Sequence, residues 1–286
     1  MEVAVIRSFT NMGSDKSGNP AGVVLDMKKT LSDSDMQALA TRIGLSETAF
    51  VSSGTQGADF DLRFFTPTDE VPLCGHATIA VFWYLNHIGD ISIGTYKQHT
   101  LAGILPVEVQ QDATGETLIT MLQSEPKRSS EPLHFDSDFS KSFTNIALNN
   151  TLPIEIWSTG LLDILLPIES RNALNEMKVD FKALSSLSEK FNVVGVHAFA
   201  IEDSQIFARN FAPLYGIDEE SATGTSNGAL IAYLNHHVKN DSYNEAVILQ
   251  GESMGQLSKI YVHYSSHPKP SVWVGGNATL VESKAL

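Results

Sequence analysis

One cysteine, Cys74, stands in a chain of 286 residues. A lone thiol can neither close an internal disulfide nor build the multi-thiolate shell of a structural zinc site. Positive charge is also scarce: 19 Lys and Arg face 33 Asp and Glu, for a formal charge of −14. No basic run of five or more occurs, so the clustered cations that grip a nucleic-acid backbone or an anionic bilayer are missing. Apolar stretches such as Ile79–Leu85 and Leu161–Pro167 are far too short to span a membrane. The beginning, Met1-Glu-Val-Ala-Val-Ile-Arg, has an acid at position 2 and a short apolar run, unlike a secretory signal. A nucleophile-elbow G-x-S-x-G, a P-loop and a zincin H-E-x-x-H are all absent. Gly13 and Gly18 frame a loop unlike the dinucleotide fingerprints, and His236-His237 and His263/His267 lack adjacent acid or thiol ligands. These absences predict a cytoplasmic protein without cofactor or metal, whose partner is a small molecule rather than nucleic acid or membrane.

What is present suits a packed core: 42% of residues are apolar and 18% charged. The length predicts two domains of roughly 130 residues. Val3–Phe9, Gly22–Leu25, Thr48–Val51 and Phe60–Phe65 read as strands from their β-branched or alternating apolar residues. Leu101–Gln110 and Leu118–Gln123 read the same way. Leu31–Ile43 reads as a helix that Ser32 or Asp33 can cap, with Met36, Leu39, Ala40 and Ile43 at helical spacing. His76–Ile88 is apolar nearly all round, as in a helix buried against sheet.

An internal echo organises the chain. Arg63-Phe-Phe-Thr-Pro67 leads through a polar loop to Gly75 and that apolar helix. Arg209-Asn-Phe-Ala-Pro213 leads to Gly224 and a second one, Asn227–Val238. The Pro-to-Gly spacing is 8 in the first copy (75 − 67) and 11 in the second (224 − 213). Chance similarity of two strand-loop-helix units is the plain alternative; two homologous half-domains are the preferred reading. The polar stretch Gln123–Thr151 then marks the boundary, giving halves 1–125 and 126–286, with the last ~15 residues a candidate to rejoin the first half.

Each copy sets a glycine at the start of a buried helix, where unpaired N–H groups and the helix dipole favour an anion. Around the first start lie Cys74, Gly75 and His76; around the second lie Glu219, Glu220, Thr223, Gly224, Thr225 and Ser226. Glu47 stands after Gly44, at the mouth of a predicted strand, and reads either as a solvated turn acid or as a functional carboxylate. His76 at a helix start is disfavoured as a cation, and reads either as a structural histidine or as a neutral proton acceptor and donor. Cys74 beside a helix start invites a nucleophile or racemase reading. Two-thiol racemisation is excluded, because the second slot holds Thr225.

Several blocks together resemble the PhzF-like family of phenazine biosynthesis. They are Gly18-Asn19-Pro20-Ala21-Gly22-Val23-Val24, Ser46-Glu47-Thr48-Ala49-Phe50-Val51, Arg63-Phe64-Phe65-Thr66-Pro67, Val71–Thr78, Ala222–Ser226, Gln250-Gly251-x-x-Met254-Gly255 and Val272–Gly276. The resemblance implies a diaminopimelate-epimerase-like α/β (α+β) fold: two pseudo-symmetric domains, each a mixed, mostly antiparallel sheet wrapped around a central helix. It implies a cleft site, a homodimer, and proton transfer on a small carboxylate with Glu47 as general acid/base. His76, Glu220 and Thr225 join Glu47 as catalytic candidates, and Asn19, Cys74, Gly75, Thr223, Gly224 and Ser226 are expected to bind substrate. The chain departs from the family where Glu220 replaces the usual Asp, Thr225 the usual Ser, and Gly255-Gln256-Leu257-Ser258 the usual Gly-Arg-Pro-Ser. An amino-acid racemase without the two-thiol mechanism, and a non-catalytic carboxylate-binding protein, remain the alternatives.

Overall fold

The first apolar alternation becomes β1 (Glu2–Ser8) in a computed structural model that describes residues 2–11, 16–129, 131–238 and 243–285. It pairs antiparallel with β2 (Asn19–Leu25) and with the last strand, Ala278–Ala285. The turn into β2 needs Gly18. Its φ is +85°, and a Cβ there would sit 2.3 Å from the Ser8 carbonyl oxygen. β2 pairs in parallel with β3 (Thr48–Ser53), which demands a crossover, supplied by α1 (Asp33–Ile43). Ser32 and Asp35 close a capping box at its start, and Gly44 (φ 72°) ends it. Met36 and Ala40 turn inward onto Val3, Val24, Phe50 and Phe65.

The sheet continues through β4 (Phe60–Phe65), antiparallel to β3, which also pairs with the short β5 (Glu70–Val71). A second crossover, α2 (Gly75–His87), returns the chain to β6 (Gly94–Thr100), parallel to β4. β7 (Gly103–Gln111) and β8 (Thr117–Leu122) follow as an antiparallel meander. Eight of the thirteen α2 residues are buried, and the helix touches β1, β2, β3, β7, β8 and the last strand. A helix apolar all round leaves no face for water, so the sheet curls about it. These elements form the first compact unit: residues 1–12, 18–122 and 275–286.

The second unit holds residues 13–17 and 123–274. It begins with β9 (Lys127–Arg128), α3 (Ser137–Ser142), β10 (Phe143–Thr144) and β11 (Glu155–Ser158), with β9 antiparallel to β11. β12 (Leu162–Pro167) pairs antiparallel with β11. After α4 (Arg171–Glu176) and β13 (Lys178–Val179), which pairs with β10, α5 (Phe181–Phe191) crosses to β14 (Gly195–Glu202), parallel to β12. β15 (Gln205–Ala212) is antiparallel to β14 and also pairs with the short β16 (Ile217–Glu220). α6 (Gly224–His237), buried from Ser226 to Leu234, crosses to β17 (Glu245–Gln250), parallel to β15. β18 (Ser258–Ser265) pairs antiparallel with β17, and β19 (Ser271–Gly276) completes the series. No helix among the described residues is long and apolar enough to cross a membrane.

The order β2-α1-β3-β4-β5-α2-β6-β7 recurs as β12-α5-β14-β15-β16-α6-β17-β18, with α4 and β13 inserted after β12, and side chains repeat with it. Arg63 on β4 makes a bidentate clamp on Glu70 of β5, at 2.7 and 2.6 Å. Arg209 on β15 makes the same clamp on Glu219 of β16, at 2.9 Å twice. Each guanidinium also lies over the phenylalanine two residues on, 5.1 Å from Phe65 and 4.9 Å from Phe211. Gln98 on β6 meets Thr78 of α2, and Gln250 on β17 meets Asn227 of α6. The echo is therefore structural: a bidentate clamp closes each polar loop and delivers the chain to a buried helix.

Candidate active site

Glu47 is placed by backbone before side chain. The Gly22 N–H donates to the Glu47 carbonyl at 3.0 Å, the first bond of the β2–β3 pairing, and Gly44 has just turned the chain out of α1. Its carboxylate Oε2 lies 3.3 Å from His76 Nε2. That oxygen is buried and makes no hydrogen bond among the described residues, so the contact with the ring is close but poorly aligned. The Ser46 hydroxyl stands 3.5 Å from the same ring nitrogen.

His76 is 7% exposed. Its Nδ1 lies 3.4 Å from Cys74 Sγ, the ring also reaches the Pro20 carbonyl, and the Ser8 hydroxyl donates to its backbone oxygen at 2.7 Å. Burial lowers the His76 pKa, against opposing pulls from the Glu47 carboxylate and the Pro20 carbonyl. A neutral ring carries one N–H and one lone pair. Set between a thiol and a carboxylate, it can accept a proton on one side and give one on the other. Cys74 occupies the N-cap position of α2 in extended conformation, and its side chain makes no capping bond. The first turn is thus left without the usual side-chain acceptor. Asn19, buried at the start of β2 opposite Ser8, precedes the Pro20 carbonyl that faces His76. The sequence block around Asn19 thereby reaches the cluster through backbone.

In the second unit, Thr223 is the N-cap of α6 and likewise makes no side-chain cap. Its hydroxyl instead donates to Glu220 Oε2 at 2.5 Å, at the end of β16, and accepts from Gln250 Nε2 at 3.1 Å. Fully buried Gln250 also donates to the Glu220 carbonyl and accepts from Asn227 Nδ2, each at 2.7 Å. Asn227 Oδ1 lies 3.1 Å from His197 Nε2, whose ring burial pushes down to about 4 and so keeps neutral. The half-buried Thr225 accepts the Thr159 hydroxyl on its carbonyl at 2.9 Å. Gly224 and Gly75 are the first residues of their helices. The usual arginine of the tail is Gln256 here, and its N–H and carbonyl close a tight turn with Gly251 and Ser258.

Ser226 is 2% exposed, and its hydroxyl donates to Asp163 Oδ2 at 2.7 Å. That group is engaged in supporting the helix start. Asp163, like Gln250, Asn227 and His197, lies inside the second unit and carried no local signal: a strand acid between apolar neighbours reads as an irregularity until its partner is placed beside it. Burial pushes the Asp163 carboxyl up to about 6, against hydrogen bonds from Ser226 and the Gly195 N–H. Because the folded value lies above the unfolded one, the stability that Asp163 contributes is fully present near pH 4 and lost as pH rises to about 6. The stability difference between the wild type and Asp163→Asn should therefore fall by up to about 3 kcal/mol across that window and stay flat above it. Asn keeps an oxygen for Gly195, and the Ser226 hydroxyl can rotate to accept. Urea unfolding of both proteins from pH 4 to 7 reads this directly; a pH-independent difference would contradict it. Buried His197 acts with the opposite sign, but it cancels in the difference.

A family model described as PhzC-PhzF, phenazine biosynthesis-like protein, matches residues 6–284. The uncharacterized isomerase YfhB of Bacillus subtilis is 34% identical, over 100% of this chain and 98% of its own. The trans-2,3-dihydro-3-hydroxyanthranilate isomerase of Pseudomonas aeruginosa is 28% identical over 94% of each chain. Among solved structures, a PhzF-family phenazine biosynthesis protein of Bacillus anthracis matches with a TM-score of 0.89 and 28% identity, over 100% of this chain and 98% of that one. A probable proline racemase from Agrobacterium radiobacter K84, 11% identical with a TM-score of 0.66, shows a shared epimerase-like fold. Matched over nearly its whole length, the chain belongs to the PhzC-PhzF family, whose members are isomerases.

Proposed function

We propose that this protein is a cofactor-independent isomerase that moves a proton on a small cyclic or amino-bearing carboxylate, with Glu47 as general acid/base. The observation that supports it best is a buried carboxylate oxygen with no hydrogen-bond partner, 3.3 Å from a histidine that burial keeps neutral. A structural carboxylate would be expected to have its oxygens satisfied. One held ready for a proton would not. The relative that acts on dihydro-hydroxyanthranilate supports the substrate class.

Glu47 takes a proton from carbon adjacent to the conjugated acid. The C–H electron pair enters the π-system, and the same carboxyl returns the proton to another carbon on the same face. No net oxidation occurs, and the only mobile species is a proton. His76 orients a polar substituent through its single N–H or lone pair. First-turn amides at Gly75 suit the substrate carboxylate, with Asn19 and Cys74 supplying polar contacts; Glu220, Thr223, Gly224 and Thr225 are the corresponding polar groups at the α6 start of the second unit. Ser226 contributes by holding the α6 start through Asp163.

The test is solvent exchange. Incubation in D2O with trans-2,3-dihydro-3-hydroxyanthranilate, and with a panel of cyclic and amino-bearing carboxylates, should place deuterium on a ring carbon with retained configuration, read by NMR. Inversion at an amino-acid α-carbon instead would favour a racemase, the reading that the thiol at the α2 start favours. Exchange into none of the panel would remove the isomerase proposal for this substrate class.

A further inference from the structure

Three donors of different chemistry converge where α2 begins. Cys74 Sγ, a ring nitrogen of His76 and a carboxylate oxygen of Glu47 all lie within 4.8 Å of one another. We propose that this cluster is a binding site for one thiophilic divalent cation of the zinc class, and that occupancy reversibly removes Glu47 from proton transfer. The inhibitory half rests on the role given to Glu47 under the proposed function; the binding half does not.

Thiolate, imidazole and carboxylate are the three side-chain ligand types of zinc, and the sulfur donor selects against magnesium and calcium. A single cysteine excludes the multi-thiolate sites, but not a mixed shell of this kind. In a tetrahedral shell with the usual bond lengths, ligand atoms stand about 3.3–3.7 Å apart. Two edges of the cluster already have that length: Sγ to Nδ1 at 3.4 Å and Nε2 to Oε2 at 3.3 Å. One ion can use only one ring nitrogen. With one ring nitrogen as ligand, the remaining separations, none above 4.8 Å in the cluster, must close by roughly 1 Å to complete the shell.

Glu47 is the group able to make that move. Its side chain is 21% exposed against 8% for His76, and Oε2 has no hydrogen bond among the described residues to surrender. A neutral imidazole such as His76 offers one nitrogen lone pair to an ion. It also reaches the Pro20 carbonyl, the kind of outer partner that orients a metal-bound imidazole. Binding displaces the thiol proton, and the helix start favours the resulting thiolate. The fourth position is open to water.

Cobalt is the probe. Titration of the purified full chain with Co2+ should raise a near-ultraviolet sulfur-to-cobalt absorption that saturates at one equivalent and is bleached by zinc. The chain has one cysteine, so that band assigns its own ligand. Loss of an outer partner of a metal typically costs 10–100-fold in affinity, so losing the Cys74 ligand in Cys74→Ser should abolish the band and weaken zinc binding by at least about 100-fold. Glu47→Gln should weaken zinc at least about tenfold while keeping the band. Absence of a sulfur band in the wild type, or zinc affinity unchanged in Cys74→Ser, overturns the site. Bound zinc that leaves deuterium exchange at its full rate overturns the inhibitory role. A protein that shows the band and exchanges no substrate supports the site and refutes only the acid/base reading.

Discussion

Glu47→Gln should lower deuterium exchange and turnover by a factor of about 10²–10⁴, the usual contribution of one positioned acid/base. Glutamine keeps the shape and polarity of the side chain and loses the ability to take a proton. Stability should barely change, because Glu47 Oε2 makes no hydrogen bond among the described residues and its contact with the neutral His76 ring is poorly aligned. Ligand affinity should likewise stay within a few-fold, as the carboxylate acts on carbon rather than on a binding group. This split separates chemistry from scaffolding. A variant that unfolds earlier and exchanges in proportion to its folded fraction would mark Glu47 as structural, and a variant exchanging at the wild-type rate would end its catalytic assignment. His76→Asn should cost less than Glu47→Gln, since an orienting amide can replace part of what a neutral imidazole does.

Arg209→Ala should produce the largest loss of stability, about 3–5 kcal/mol, by leaving a largely buried carboxylate without its countercharge. The side chain is 9% exposed, and its partner Glu219 is 14% exposed. The guanidinium also donates to the carbonyls of Leu174 and Met177, at 2.9 and 2.8 Å, so removal takes a donor from three groups at once and leaves only the Ser253 hydroxyl, at 2.7 Å, on the Glu219 carboxylate. Arg63 makes the same clamp on Glu70 from a side chain that is 32% exposed, where water replaces a lost partner. Arg63→Ala should cost only about 1 kcal/mol. Urea unfolding of the two variants measures the contrast, and a double cycle with Glu219→Gln isolates the pair. Equal small losses at both positions would mean that burial does not set the value of this repeated clamp.

The elements legible in the sequence were those with strong local signals. Ser32, the spaced Met36 and Ala40, and Gly44 bounded a helix expected over 31–43 and found at Asp33–Ile43. The all-apolar stretch after Gly75 stood out because no other arrangement hides so much hydrocarbon. α6 begins at Gly224, three residues before the expected Asn227, because Gly-Thr-Ser looks like loop until the Ser226 hydroxyl finds Asp163 and the Thr225 carbonyl accepts from Thr159. β6, Gly94–Thr100, was missed: GTYKQHT is polar, and it becomes strand by pairing with β4 and β7. β2 starts at Asn19 rather than Gly22, because the β1 edge extends it.

The sequence by itself determined the two-fold plan, the burial of both central helices, the want of a disulfide and the family. Each follows from composition, periodicity or motifs contained within a few tens of neighbouring residues. Only the tertiary structure decided that Glu47, from the mouth of β3, meets Cys74 and His76 at the α2 start within 4.8 Å, and that Ser226 is spent on Asp163. Such meetings are set by strand pairing and helix packing. Distances between side chains far apart along a chain are consequences of the whole core, and no local pattern encodes them.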